Sequence, residues 1–227
     1  MDNMEYKIVV VGGGTAGITV TAQLLRKVPA LEDKIAIIDP STKHFYQPLW
    51  TLVGGGASKK ENSVRDMASV IPNGATWIQE AVESFHPEEN KVKLKNGNSI
   101  RYEYLVVCAG LELYWDRIKG LKESLGKNNV CSNYSYEHVD YTWETIRNLK
   151  SGTAIFTHPA SPVKCGGAPQ KIMYLADDHF RKTGVRENIN IIFGSANSSI
   201  FDVAKYRTEL EKVQTCALPI FSRAEKG

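Results

Sequence analysis

No apolar run in this sequence reaches the roughly 20 residues that a membrane-spanning helix needs, so none of its segments reads as one. Basic runs are missing as well, and the net charge of +3 is too mild to argue for nucleic acid. Four cysteines and five histidines lie scattered along the chain, and no spacing among them suits a metal site. A leader pattern is also missing. Asp2 and Glu5 stand at the start and a strand begins by Tyr6, which leaves no room for a signal or transit peptide. The expectation is a cytoplasmic start and a bacterial rather than an imported mitochondrial protein. The composition that remains, 42% hydrophobic and 23% charged, is that of a globular protein of one or two domains.

What is present is concentrated at the N-terminal end. Tyr6–Val11 reads as a short buried strand and Ile18–Lys27 as a helix. Between them Gly12, Gly14 and Gly17 fit G-x-G-x-x-G, with Gly13, Thr15 and Ala16 in the intervening places. The three glycines serve a tight turn, backbone approach to a pyrophosphate, and close packing of helix on strand. The pyrophosphate would sit on the free N–H groups of the helix N-terminus. A second strand, Ile35–Ile38, ends at Asp39, where a carboxylate is expected to meet a ribose hydroxyl. Pro40 follows with no basic residue beside it, which argues against a 2′-phosphate. This leaves NAD or the ADP half of FAD.

A second stretch separates those two. Ala75–Glu83 and Lys91–Lys95 alternate like hairpin strands, and Asn96-Gly97 marks a turn. Ser99–Gly110 then reads as a polar lead-in, a returning buried strand that includes Cys108, and the small residues Ala109 and Gly110 at its end. Small residues there let a loop pack closely on a cofactor. Strand–helix–strand, a meander and a returning strand resemble the layout of FAD-binding disulfide-reductase-like flavoproteins. The resemblance implies FAD, with its ADP end on Gly12–Gly17 and Asp39 and the backbone around Val82 near the adenine.

Further along, strand Ala154–Thr157 and helix Gln170–Arg181 bracket Val163-Lys164-Cys165-Gly166-Gly167-Ala168-Pro169. A thiol at a strand-to-helix junction feels the positive end of the helix dipole, which favours the reactive thiolate. A pyridine-nucleotide flavoprotein would need a second glycine fingerprint near residue 160. His158-Pro159-Ala160-Ser161-Pro162 fills that turn instead, and its prolines withhold N–H donors. Three strings, His44–Gly56, Cys131–Ser135 and Pro162–Leu175, resemble the sulfide:quinone oxidoreductases. That resemblance implies oxidation of sulfide to zero-valent sulfur, a sulfur acceptor, FAD as electron relay, and a membrane quinone as final acceptor. It matches Cys165 to the first of two redox cysteines and brings the loop of Gln47 against FAD. It implies peripheral attachment to the inner face of a bacterial cell membrane, or to the mitochondrial inner membrane in a eukaryote. The rivals are a type II NADH dehydrogenase and a non-catalytic FAD-binding module.

The expected fold is α/β: a three-layer Rossmann-like FAD domain with a β-meander over residues 1–115, and an incomplete second Rossmann-like domain over 116–213. Helix Glu137–Leu149, closed by Ser151-Gly152, leads into the second. Strand Asn190–Phe193 and helix Ile200–Val213 continue it. Residues 214–227, with Cys216, break the pattern and read as a foreign tail. The second redox cysteine and the quinone pocket are expected beyond it, so that the chain alone would lack turnover. Cys108 is expected to pack inside a buried strand, and Cys131 has a small claim to a redox role.

Overall fold

The computed structural model describes residues 4–159, 161–195, 200, 201 and 203–214. Of the stretch 214–227 expected to be a foreign tail, all but Gln214 lies outside the described residues, Cys216 included, as does Ala160 in the proline turn. The chain divides into two compact units. One holds the residues up to Tyr46 together with Ser63–Leu113, and the other holds Gln47–Asn62 together with the residues from Tyr114 on. The stretch Gln47–Asn62, which the linear reading assigns to the first domain, therefore belongs to the second unit.

The first unit is built on β1 (Met4–Val11), α1 (Thr15–Lys27) and β2 (Ile35–Ile38). A short hairpin of β3 (Lys43–Phe45) and β4 (Val64–Asp66) flanks the excursion to the other unit, which holds α2 (Trp50–Gly54). The strands β5 (Ala75–Ile78), β6 (Val82–His86), β7 (Lys91–Leu94) and β8 (Ser99–Val107) complete a six-stranded sheet in the order β5-β2-β1-β8-β7-β6. Ala75–Glu83 is thus two strands, not one arm of a hairpin. Ala75–Ile78 pairs parallel with β2, while Val82 pairs antiparallel with β7. Gln79–Ala81 joins the two edges of the sheet. Three residues cannot cross a flat six-stranded sheet, since they reach about 14 Å and the sheet is about 24 Å wide. The β6–β7 ribbon must therefore curl back over one face.

The cores record this. β1 is buried on both sides, as a central parallel strand must be. Val9 and Val11 join Ala36 and Ile38 under Val92 and Leu94 of the ribbon and Ile100 of β8. Ile8 and Val10 join Ile35 and Ile37 under Val20 and Leu24 of α1. Alternation along one strand thus feeds two cores, giving three layers: helix, parallel sheet and meander.

The second unit holds α2, α3 (Leu121–Ser124), α4 (Val139–Asn148), β9 (Gly152–His158), α5 (Ala168–Lys182), β10 (Ile189–Ser195) and α6 (Ala204–Gln214). β9 and β10 pair in parallel with α5 as the crossover. Ile172, Met173, Ala176 and Phe180 form one stripe of α5 and pack on Ile189, Ile191 and Phe193, the inward face of β10. α4 ends at Leu149, whose N–H bonds the carbonyls of Thr145 and Ile146. Gly152 does not close that helix; it opens β9 with φ +108°, a conformation few other residues adopt.

Candidate functional site

Each glycine of the fingerprint has its own physical cause. Gly12 has φ +103°, and a Cβ there would run into the carbonyl of Cys108. The neighbouring strand forces that approach: the Cys108 N–H donates to the Val11 carbonyl at 2.7 Å, and the Gly12 N–H donates to Ile38 at 2.8 Å. At Gly17 a Cβ would strike the Gly12 carbonyl and press on Val10, so the third glycine lets α1 lie against β1. Gly14 has open space where a Cβ would stand. Gly14, Thr15 and Ala16 are exposed, no side chain caps α1, and its first turn carries no acid. The first amides of α1 therefore lie at an exposed helix end whose own first turn carries no negative side chain. The residues present fit a pyrophosphate.

Asp39 stands at the end of β2 beside this loop. Its Oδ2 accepts the Gly13 N–H at 2.7 Å and its Oδ1 accepts the Ser41 N–H at 2.8 Å. Each oxygen keeps a further lone pair for a ribose hydroxyl. The side chain therefore has a second task the sequence did not reveal: it fixes the glycine loop. His44 adds to this, with Nδ1 3.1 Å from the Gly13 carbonyl, and the Trp77 indole N–H donates to the Asp39 carbonyl at 3.0 Å. Asp39→Ala is expected to weaken FAD binding about ten- to hundredfold, the loss of roughly 1.5–3 kcal/mol of charge-assisted bonding. Asp39→Asn, which keeps one acceptor, should recover part of it. Fluorescence titration of the apoprotein with FAD measures both, and wild-type affinity for Asp39→Ala would remove the carboxylate from the site.

Val82 opens β6 opposite Leu94, next to a register shift. Ala109 and Gly110 follow β8 and are exposed, with Gly110 at φ +76° and nothing within 4 Å of its Cβ position. Cys108 is not inside the strand, as the sequence suggested, but one residue past it, half-buried against the α1-side core.

The second unit gathers Gln47, Tyr134, Lys164 and Cys165. Cys165 is exposed, two residues ahead of Gly167, the N-cap of α5. Its carbonyl, not its thiol, meets the helix end, accepting the Ala168 N–H at 3.2 Å. Lys164 Nζ donates to the side-chain carbonyl of Gln47 and lies 5.8 Å from the Tyr134 ring centroid. Burial pulls the Lys164 ammonium below its ordinary value. Burial also pushes the Tyr134 hydroxyl up, partly offset by the Cys165 backbone N–H, while the Cys165 sulfur adds to the rise. Cys131 has no such setting. Its Sγ donates to Thr145 Oγ1 at 3.4 Å, and burial pushes its thiol up, which keeps it protonated. Among the described residues no group of acidic, histidine or cysteine side chains could hold a metal.

Gly54–Gly56 explain how Gln47 reaches this cluster. A Cβ at Gly54 would meet Asn133, at Gly55 Leu175, and at Gly56 the Trp143 ring. The glycines let α2 lie directly on α4 and α5, with Trp50 buried against Tyr136. The sequence offered these glycines only as part of a resemblance; their cause is tertiary.

Two relatives match nearly the whole chain. The mitochondrial sulfide:quinone oxidoreductase of Dictyostelium discoideum is 55% identical over 208 residues, covering 91% of this chain and 46% of its own length. The mouse mitochondrial sulfide:quinone oxidoreductase is 47% identical over 209 residues, covering 92% and 46%. The chain thus spans about half the length of these curated relatives. The solved sulfide:quinone oxidoreductase of Aquifex aeolicus superposes with a TM-score of 0.76 at 22% identity, covering 97% of this chain and 52% of that one, a likeness of fold. The pyridine nucleotide-disulphide oxidoreductase family matches residues 6–147, more than half of the chain and all of the glycine loop, Asp39 and the meander. With that match over more than half of its length, the chain belongs to the pyridine nucleotide-disulphide oxidoreductases, a family of FAD-binding flavoproteins.

Proposed function

We propose that the chain works within a sulfide:quinone oxidoreductase, with FAD held on Gly12–Gly17 and Asp39 and with Cys165 as a redox thiol. The observation that carries the reading is Cys165 itself: an exposed thiol at the β9–α5 junction, in a loop bounded by Pro159, Pro162 and Pro169, where a second dinucleotide would need glycines and free N–H groups. The names of the two relatives above support it. FAD, when bound, supplies two-electron transfer between sulfur chemistry and quinone. The chain's own part is to bind its phosphates on the α1 amides, to orient the ribose through Asp39, and to present the Cys165 sulfur.

In this reading hydrosulfide attacks a disulfide between Cys165 and a second thiol. The S–S bond breaks, one sulfur departs as thiolate, and the other cysteine keeps the added sulfur as a persulfide, later passed to an acceptor. Among the described residues no helix is long and apolar enough to cross a membrane. The reading sets the protein peripherally on a quinone-bearing membrane, and the relatives' mitochondrial names favour the mitochondrial setting over the bacterial one expected from the N-terminus.

The test is spectroscopic. In the intact protein loaded with FAD and kept free of oxygen, stoichiometric sulfide should bleach the flavin band and NADH should not. Bleaching by NADH alone would establish the type II NADH dehydrogenase reading instead. Bleaching by neither would leave a non-catalytic FAD-binding module.

A further inference from the structure

Lys164 is an uncommon neighbour for a thiol. Its ammonium is held by two groups that carry no formal charge, the Gln47 side-chain carbonyl and the Tyr134 ring face. No carboxylate pairs with it among the described residues. A lysine fixed by an amide and a ring keeps its charge available to a third group; a lysine fixed by an aspartate does not. Tyr134 brings a second available donor. The Cys165 backbone N–H acts on its oxygen, but its buried O–H proton has no acceptor, a costly state for a phenol unless something takes it. One cation without a carboxylate and one phenol proton without an acceptor, together beside Cys165, describe an anion site.

We infer that Lys164 and Tyr134 are positioning residues that form an anion-recognition site beside Cys165, where a small sulfur anion, hydrosulfide, is held for reaction. The inference rests on Cys165 being the redox thiol and names what recognises its substrate. Gln47 serves the site by anchoring the lysine. Its own position follows from Gly54–Gly56, which dock α2 on α4 and α5.

The experiment compares two alkylating probes of similar size, neutral iodoacetamide and anionic iodoacetate, on the purified protein. Labelling is resolved at Cys165 by peptide mass spectrometry, because Cys108, Cys131 and Cys216 are also thiols. The readout is the iodoacetate-to-iodoacetamide rate ratio at Cys165. Lys164→Met is expected to lower this ratio about fivefold, the size of one charge interaction at a partly exposed site, and Lys164→Arg should retain most of it. Tyr134→Phe, which keeps the ring and loses the proton, should lower the ratio about two- to threefold, the size of one hydrogen bond at the weak end of the range. A structural role would slow both probes together and leave the ratio unchanged. If Lys164→Met and Tyr134→Phe keep the wild-type ratio while Cys165 remains the fastest-labelled thiol, the anion site is overturned and the redox thiol stands. If Cys165 labels no faster than half-buried Cys131 with either probe, the redox reading itself falls.

Discussion

Gly14→Val is expected to leave the chain folded and unable to hold FAD, whereas Gly12→Val is expected to damage the fold itself. The two glycines lie two residues apart in one loop, and the motif alone does not say which substitution the fold tolerates. The structure separates them. Nothing lies within 4 Å of the Cβ position at Gly14, so a valine there has room in the apoprotein. That room is where the pyrophosphate would come, and a branched side chain would hold it off the α1 amides. FAD affinity should fall by roughly a hundredfold or more, since several amide-to-phosphate bonds are lost together. The melting temperature of the apoprotein should change little. At Gly12 the backbone is at φ +103° and the Cys108 carbonyl occupies the place of a Cβ. Left-handed strain and overpacking together should cost about 2–5 kcal/mol of stability. Denaturant unfolding of the apoproteins, beside flavin content after reconstitution, resolves the pair. A Gly14→Val protein that takes up one FAD per chain at wild-type affinity would put the pyrophosphate elsewhere.

Cys165→Ser should abolish flavin reduction by sulfide in the intact protein, slowing it roughly a thousandfold or more, while FAD stays bound. An alcohol forms neither a disulfide nor a persulfide, so the sulfur step has no substitute route. FAD retention is expected because Cys165 lies in the unit that does not hold the glycine loop. Cys108→Ser should keep near wild-type turnover and cost roughly 1–2 kcal/mol of stability, as a hydroxyl replaces a half-buried thiol without a new partner. Rapid anaerobic mixing with sulfide, followed at the flavin band, measures both. Wild-type bleaching by the Cys165→Ser protein would mean that electrons do not pass through this thiol.

Local pattern was enough for the first unit's frame. β1, the glycine loop, α1, β2 and Asp39 are contiguous, and each is specified by its own residues: a buried apolar run, three glycines, an amphipathic helix and a terminal acid. Such features depend on neighbours a few positions away, so they survive in one dimension. The same holds for the Asn96-Gly97 turn and for the α/β class. The tertiary structure decided the rest. Ala75–Glu83 looked like one alternating strand because alternation does not say which partner a strand takes; β2 claimed its first half and β7 its last residues. Cys108 looked buried because its strand is apolar, yet pairing ends one residue earlier. Gln47 looked like part of the nucleotide domain because it follows β3 in sequence. Three glycines that let α2 lie on α4 and α5 carry it to Lys164. The Tyr134–Lys164–Gln47 grouping spans more than a hundred positions of chain and contains no motif. It exists only because packing closes those distances, and packing between remote segments is set by the shape of the whole chain rather than by any stretch of it.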